Sequence, residues 1–420
     1  MRELSMRAFP FLLLAYTMSQ FYRSFLAILA GDWARDLAFG PVELGMLSAI
    51  WFFAFALAQF PIGYALDRFG TRRTMPGVML LAVAGSVLLA GSHSLATSLT
   101  GMALVGMGCG PVLMGSMLYF AQNFPPGRFA QLCALIIGLG SLGGIAGSTP
   151  LALSAQAYGW RATILATGGL TLLAAALVFL VVRDASQAAP AKATQHSLLR
   201  AIAEQKGLWL LMPLTLVSYA VVIAERSLWI GPYFDKVHHL VLLERGNAVL
   251  AMAIAMALGA LAYGPVERWC GGPKAPVLAG SLITATAFIA LGLWPAPSVG
   301  VAVALLCVAG FAGLTYGTLM AHARLFFPPH LTGRGITFMN FLFIGGAGLG
   351  QTVSGPLVQY FGQSAGGGHI PDAGTAFSAL HLAFGGALVL ASLVYVMAPA
   401  RRSIPAQKQP EAAQSGHPRG

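Results

Sequence analysis

Twelve apolar runs, separated by short polar segments, divide this chain. They occupy 8–31, 44–66, 75–93, 97–121, 130–153, 161–182, 208–231, 246–265, 275–294, 298–321, 335–359 and 376–398. An α-helix rises 1.5 Å per residue, so about 20 apolar residues cross the hydrocarbon core of a bilayer. Each run is therefore read as one membrane-spanning helix, numbered here as spans 1–12. Several are rich in glycine, which helices packed within lipid tolerate. The one clear boundary lies between spans 6 and 7. There Arg183-Asp184 leads into a polar, Ala/Pro-rich stretch containing Lys192. The pattern predicts an all-α integral membrane protein with a first six-helix half (1–182), a linker (183–207), a second half (208–398) and a disordered tail (399–420).

The two halves are copies. Phe124-Pro-Pro-Gly-Arg128 is echoed by Phe327-Pro-Pro with Gly333-Arg334 after it. An offset of 206 carries Arg128, Gly140, Gly144, Ser148, Pro150 and Leu151 onto Arg334, Gly346, Gly350, Ser354, Pro356 and Leu357, all identical in type. The charged segment Gly63-Tyr-Ala-Leu-Asp67-Arg68-Phe-Gly70-Thr-Arg72-Arg73, between spans 2 and 3, has a weaker copy at Glu267-Arg268-Trp-Cys-Gly271. An even number of spans gives both copies the same orientation. The expected symmetry is a pseudo-twofold along the membrane normal, with a binding site between the halves near mid-membrane.

Composition supports a lipid environment. Of the 420 residues 57% are hydrophobic and 9% charged, against about 25% charged in soluble proteins. The first run is followed by no small-residue cleavage site, so it reads as a retained span and not a signal peptide. The net charge of +11 would suggest nucleic acid in a soluble protein. Here its distribution decides the meaning. With both termini in the cytoplasm, 18 of the 24 Lys and Arg fall on the cytoplasmic side. Four (Arg35, Arg161, Lys236 and Arg245) fall outside, and Arg23 and Arg226 lie within spans. This is positive-inside topology, so the expected partner is the bilayer and no nucleic acid. The four cysteines (Cys109, Cys133, Cys270 and Cys307) have neither metal-ligand spacing nor an extracellular pair, and read as packing residues.

The buried charges carry the functional signal. Arg23 lies inside span 1, and Glu225 and Arg226 inside span 7. A charge at mid-span costs about 2.5–3.5 kcal/mol to insert, so such residues face a cavity or a partner. For Arg226, near the outer end of its span, snorkelling is the bland alternative. An offset of 200 places Arg226 three residues from Arg23, on a similar helix face about one turn away. Tyr219 falls close to that face, whereas Glu225 points towards a neighbouring helix. Two arginines with at most one acid nearby make a site for an anion, since guanidinium forks grip carboxylate, nitrate or phosphate bidentately. Tyr22 lies beside Arg23. Gln20, Trp51, Gln59, Tyr119, Tyr316, Asn340 and Gln351 are neutral polar candidates at similar depth. Glu225 is the one acid within a span, read either as the proton carrier or as half of a structural ion pair. His322 and His381 read as packing groups, His238-His239 as a solvated loop. The glycines of spans 5 and 11 (Gly140, Gly144, Gly346 and Gly350) read as contact surfaces between the halves. No Walker loop, metal cluster or catalytic triad is present, which predicts no cofactor and no enzymatic activity.

Two six-helix halves, a central linker and the Gly-x-x-x-Asp-Arg-x-Gly-x-Arg-Arg segment resemble the major facilitator superfamily over residues 8–398. Gly159-Trp160-Arg161 before span 6 fits as well. The resemblance implies a twelve-helix secondary transporter in which spans 1, 4, 7 and 10 line the central cavity. It also implies that Gly63, Asp67, Arg68, Gly70, Arg72 and Arg73, with Glu267 and Arg268, latch the cytoplasmic side. Plain positive-inside anchoring is the alternative for these residues. Met102 stands where many members carry a span-4 arginine, which argues against proton-driven drug efflux. The layout around Phe21-Tyr22-Arg23 is similar to bacterial importers of organic anions. The expectation is a bacterial-type inner-membrane secondary transporter, a functional monomer, that moves a small anionic solute coupled to a cation such as the proton, with the direction left open. An exporter on the same fold and a non-transporting membrane receptor are the alternatives.

Overall fold

The computed structural model describes residues 6–184, 206–294, 296–327, 332–364 and 373–400, and among these the regular secondary structure is helical. Most of the expected linker (185–205) and the tail from residue 401 lie outside the described residues. Ten helices are long and apolar enough to cross a membrane, and the bent pair Phe9–Phe21 and Phe25–Asp36 makes another span. The helix Pro41–Ala90 is itself spans 2 and 3, joined where Gly70 leaves helical geometry with φ 77°. The count is therefore twelve, as the apolar runs predict. What the sequence presents as a loop at 63–73 is helix interrupted at that single residue.

Spans 1 and 7, and spans 4 and 10, break in matching places, whereas span 5 breaks and its counterpart Thr332–Ser364 does not. Span 1 stops at Phe21 and resumes at Phe25 with a bend of 44°. Its counterpart, span 7, runs as α-helix over Lys206–Ala224, widens to a π-turn over Glu225–Trp229 and continues as Ile230–Lys236. Span 4 is Leu95–Cys109 plus Pro111–Asn123, and span 10 is Val299–Gly313 plus Tyr316–Arg324. Span 5 falls into Pro126–Gly140, Leu142–Ala146 and Thr149–Tyr158. At the joints of spans 4, 5 and 10 glycine and proline free or remove a ladder hydrogen bond, and neighbouring helices cover the gap.

Packing repeats the symmetry. Gly140 of span 5 meets the Tyr16 ring of span 1, and Gly346 of span 11 meets the backbone of Leu216 in span 7. Gly350 likewise faces Ala220 of span 7. These glycines thus hold spans 5 and 11 against spans 1 and 7 of their own halves, and only Gly144 reaches the other half. The expectation that the whole set joins the halves is corrected accordingly. Without a side chain the backbones approach to close contact, the main source of helix affinity within lipid.

The halves meet directly at the face opposite Gly63–Arg73. A Cβ on Gly45 would sit 3.2 Å from Gly355 Cα, and one on Gly246 would sit 3.0 Å from Thr149 Cα. These are symmetry-equivalent contacts of span 2 on span 11 and span 8 on span 5. Thr149 Oγ1 donates to Asn247 Oδ1 at 2.8 Å beside them. Phe60 faces Phe341 across the bundle with ring centroids 5.7 Å apart, yet it is 60% exposed. The halves thus touch closely at the far face, and the face that carries Gly63–Arg73 is called here the loop face.

Candidate functional site

The breaks in spans 1 and 7 position the two arginines. At Tyr22-Arg23-Ser24 the helix ladder tightens to three-residue bonds, Arg23 N–H to Gln20 O at 3.3 Å and Ser24 N–H to Phe21 O at 3.0 Å. Arg23 therefore leaves the helix at a joint, and its guanidinium lies over the rings of Phe55 at 4.8 Å and Trp51 at 5.6 Å. Cation–π contacts of this kind stabilise a guanidinium withdrawn from water. The π-turn does the same service in span 7, since such bulges re-aim side chains. Consecutive helical residues diverge by about 100°. Glu225 consequently points into the second half while Arg226 crosses to the first, where its Nη2 fills the space beside Gly144.

Tyr219 joins the two. Its hydroxyl interacts with the Arg23 side chain, and it lies within electrostatic reach of Arg226, as the arginines do of each other. Tyr219 packs on Phe343 and Tyr316, with centroids at 6.0 and 6.2 Å. The Tyr316 hydroxyl donates to Asn340 Oδ1 at 2.8 Å. Tyr16, which sequence reasoning missed, is in reach of Arg23 and Tyr316. Gln20 presents its Cβ to Gly143 just as Arg226 presents its guanidinium to Gly144. Arg23, Arg226, Tyr219 and Tyr316 are thus gathered between the halves, with Asn340 bonded to Tyr316, whereas Gln20 packs on Gly143 of its own half.

Other predicted residues are not. The Tyr22 hydroxyl turns into the first half and bonds Ser86 at 2.8 Å and Thr171 at 3.1 Å. Gln59 donates to Gly110 O at 3.4 Å within the same half. Tyr119 is buried in an apolar cluster of that half with Phe120. The signal for these outcomes was absent from the sequence, because helix rotation about its axis was fixed only by packing.

The electrostatics of the cavity are lopsided. Among the described residues no carboxylate pairs with Arg23 or Arg226, and the Nε of each is buried without a hydrogen-bond partner. Trp51 Nε1, a donor, and the Oε1 atoms of Gln20 and Gln351, acceptors, are also buried and unpartnered. Gln351 is held beside Ser227 by its Nε2 bond to Ser227 Oγ at 2.8 Å. Buried polar groups are normally satisfied, so a cluster of orphans marks where a ligand's own groups fit. The arrangement suits an anion that also bears hydroxyls.

Glu225 lies elsewhere. It is fully buried, with its Oε2 3.3 Å from Nε2 of an equally buried His381 in span 12. His381 is not the bland packing group expected, and Arg226 is not the partner of Glu225. The latch residues are equally informative. Thr71 N–H and Arg72 N–H donate to the carboxylate of Asp184 at 2.9–3.2 Å. Arg72 Nε donates to Phe179 O at 2.9 Å, and Arg68 to the Tyr64 hydroxyl at 2.9 Å. These contacts all lie within the first half, those of Thr71 and Arg72 at the end of span 6. Arg268 is exposed, and Gly271 repeats the left-handed turn of Gly70 with φ 69°. His238 is half-buried against Tyr233, so it is not a freely solvated loop residue. Among the described residues no group of three metal-ligating side chains converges.

Comparison with known proteins agrees with this architecture. A family model described as Major Facilitator Superfamily matches residues 12–350. The chain is 27% identical to a hexuronate transporter of Bacillus subtilis over 178 residues, 42% of each protein. It is 25% identical to an uncharacterized transporter of Schizosaccharomyces pombe over 186 residues, 43% of this chain and 37% of that one. The matches thus span less than half the length of either relative. Among solved structures, a bacterial homolog of the human lysosomal transporter Spinster, inward-facing and unoccupied, superposes with a TM-score of 0.74 at 17% identity, covering 95% of this chain and 96% of that one. A D-xylose-proton symporter gives 0.75 at 13% identity, covering 95% and 99%. At these identities the structures establish the shared fold.

Proposed function

Because the chain belongs to the Major Facilitator Superfamily, whose model matches most of its length, we propose that it carries a small hydroxylated carboxylate across the membrane by alternating access, with Arg23 and Arg226 gripping the carboxylate. The observation that supports this reading is the pair of buried arginines on opposite halves with no acid against them. A guanidinium pair in a low-dielectric cavity repels itself, and a bound carboxylate relieves both charges at once. Tyr219 and Trp51 add donors, and the Oε1 atoms of Gln20 and Gln351 accept from hydroxyls. Because each arginine belongs to a different half, substrate binding draws the halves together. Release then follows when they part on one side. The distant likeness to a hexuronate transporter supports a sugar acid as the first solute to test.

The excess of Lys and Arg on the loop face supports a cytoplasmic position for that face and for both termini, in a bacterial-type inner membrane. The site lies within one chain, which supports a functional monomer. An anion entering a cell with a negative interior needs a co-transported cation, here the proton, and Glu225 is its carrier in this reading. Gly70 and Asp67 act with Arg68, Arg72 and Arg73 to set the loop-face ends of spans 2 and 3. Gly63, Glu267 and Arg268 belong to the same gating region.

The test is thermal-shift binding and counterflow in proteoliposomes with D-glucuronate and a panel of other carboxylates. Arg23→Gln and Arg226→Gln are each expected to abolish binding of the solute that stabilises the wild type, with the protein still folded. Normal transport by Arg23→Gln overturns the anion site.

A further inference from the structure

We propose that the cleft between the loop-face ends of spans 1 and 6 binds an anionic phospholipid, with Arg7 and Arg183 on its phosphate and an acyl chain against Phe11 and Leu180. The proposal is independent of the anion site between the halves. The cleft measures about 480 Å³ and is lined by Arg7, Pro10, Phe11, Leu180, Val181 and Arg183. That volume falls in the range of small-molecule sites, about 300–1,000 Å³. Its place on the loop face is fixed by the residue just before it, since Phe179 meets Arg72 of the Gly63–Arg73 segment.

The lining divides by chemistry. Arg7 and Arg183 are both exposed, and among the described residues neither forms an ion pair or a side-chain hydrogen bond. No carboxylate of the described residues lines the cleft. Asp184, next in the chain, is engaged by the N–H groups of Thr71 and Arg72 at 2.9–3.2 Å. Two guanidinium groups without a counter-ion leave their donors for a phosphate, whose oxygens match the guanidinium fork. The rest of the lining is apolar. Leu173 and Leu180 lie two turns apart on one face of span 6 and are 49% and 68% exposed. On a membrane-spanning helix such a face meets lipid. The cleft therefore lies where the hydrocarbon core gives way to the headgroup layer.

Both halves of the lining select the same occupant. A free phosphate has no use for Phe11 and Leu180. A lipid with a choline headgroup brings a cation towards two arginines, which repel it. A lipid whose headgroup carries net negative charge satisfies the arginines and the apolar wall together. Basic pockets between membrane helices hold such headgroups, and anionic lipid is abundant in the leaflet that positive-inside topology faces. A cleft of similar size between spans 8, 9 and 10 has no charged residue in its lining. Acyl chains fill that one without choosing a headgroup.

The last turn of span 6 faces two ways, which gives the lipid a consequence. On one side the Phe179 carbonyl accepts from Arg72 Nε at 2.9 Å, and its ring lies under the Arg72 guanidinium at 5.2 Å. On the other, Leu180 and Val181 line the cleft. Arg183 directly precedes Asp184, whose carboxylate caps span 3 after Gly70. A lipid that orders this turn also holds span 6 against the start of span 3. A ligand that binds one arrangement of a segment raises the population of that arrangement.

The test uses the full chain in detergent with dioleoylphosphatidylglycerol as the probe, and dioleoylphosphatidylcholine and inorganic phosphate for comparison. Native mass spectrometry measures lipid retention, and hydrogen exchange follows the amides of Thr71 and Arg72. Wild type is expected to hold the glycerol lipid at least tenfold more tightly than the choline lipid, and the glycerol lipid to slow both amides at least threefold. Arg7→Gln and Arg183→Gln, exposed positions at which the fold is kept, are each expected to bring its retention down to that of the choline lipid and to remove the slowing. Arg324→Gln, which takes one exposed arginine from the loop face outside the cleft, is expected to behave as wild type. Equal retention of the two lipids by wild type overturns the proposal, as does unchanged retention in Arg7→Gln and Arg183→Gln. So does an equal loss in Arg324→Gln, which would show surface charge alone. Inorganic phosphate slowing the amides as well as the lipid does, or amides that the lipid leaves unchanged, overturns it too.

Discussion

Arg226 places its guanidinium against Gly144, in the space that a side chain at position 144 would fill. Here an arginine of the second half rests on the first. Gly144→Val displaces that guanidinium and is expected to weaken binding of the stabilising carboxylate at least tenfold, about 1.4 kcal/mol. Gly138→Val, on the same span in open space, serves as the control and leaves binding unchanged. Thermal-shift titration measures both.

Closure at the far face has to be reversible if the halves rock. Thr149 and Asn247 meet there at 2.8 Å. A chain with its four cysteines replaced and the pair Thr149→Cys, Asn247→Cys is expected to lose counterflow on oxidation and regain it with reductant. Full transport by the oxidised, cross-linked protein contradicts the rocking mechanism.

Asp184 caps the start of span 3 directly after the left-handed Gly70. Its carboxylate accepts from two backbone N–H groups at a helix N-terminus, where negative charge is favoured. Asp184→Ala is expected to destabilise the protein by about 1 kcal/mol, read as a lower Tm, with Asp184→Asn intermediate. Gly70→Ala is expected to cost more than Asp184→Asn. It forces a Cβ into the left-handed region and against Asp184.

Two tyrosines separate binding from structure. Tyr22→Phe removes the bonds to Ser86 and Thr171 and is expected to lower stability by about 1 kcal/mol with solute affinity unchanged. Tyr219→Phe takes a hydroxyl from Arg23 and is expected to weaken solute binding with little change in Tm. The reverse pattern of affinities returns Tyr22 to the site and removes Tyr219.

The apolar runs, the duplication at an offset of 206 and the lysine and arginine bias are one-dimensional properties, and the sequence alone determined the twelve helices and their pairing from them. Arg23 and Arg226 were legible for the same reason. A charge within an apolar run is costly wherever the helix points, and the repeat aligned their faces. Which way each remaining side chain pointed depended on breaks that apolar periodicity does not encode. The joint at Tyr22-Arg23-Ser24 turned Tyr22 inward, and the π-turn sent Glu225 to His381 and Arg226 to Gly144. Asp184 reaching Thr71, and His238 reaching Tyr233, are contacts between groups whose meeting depends on how helices rotate and end. Helix rotation inside lipid is set by close packing at small residues, not by a hydrophobic face. Tertiary structure alone therefore decided which polar groups share the cavity.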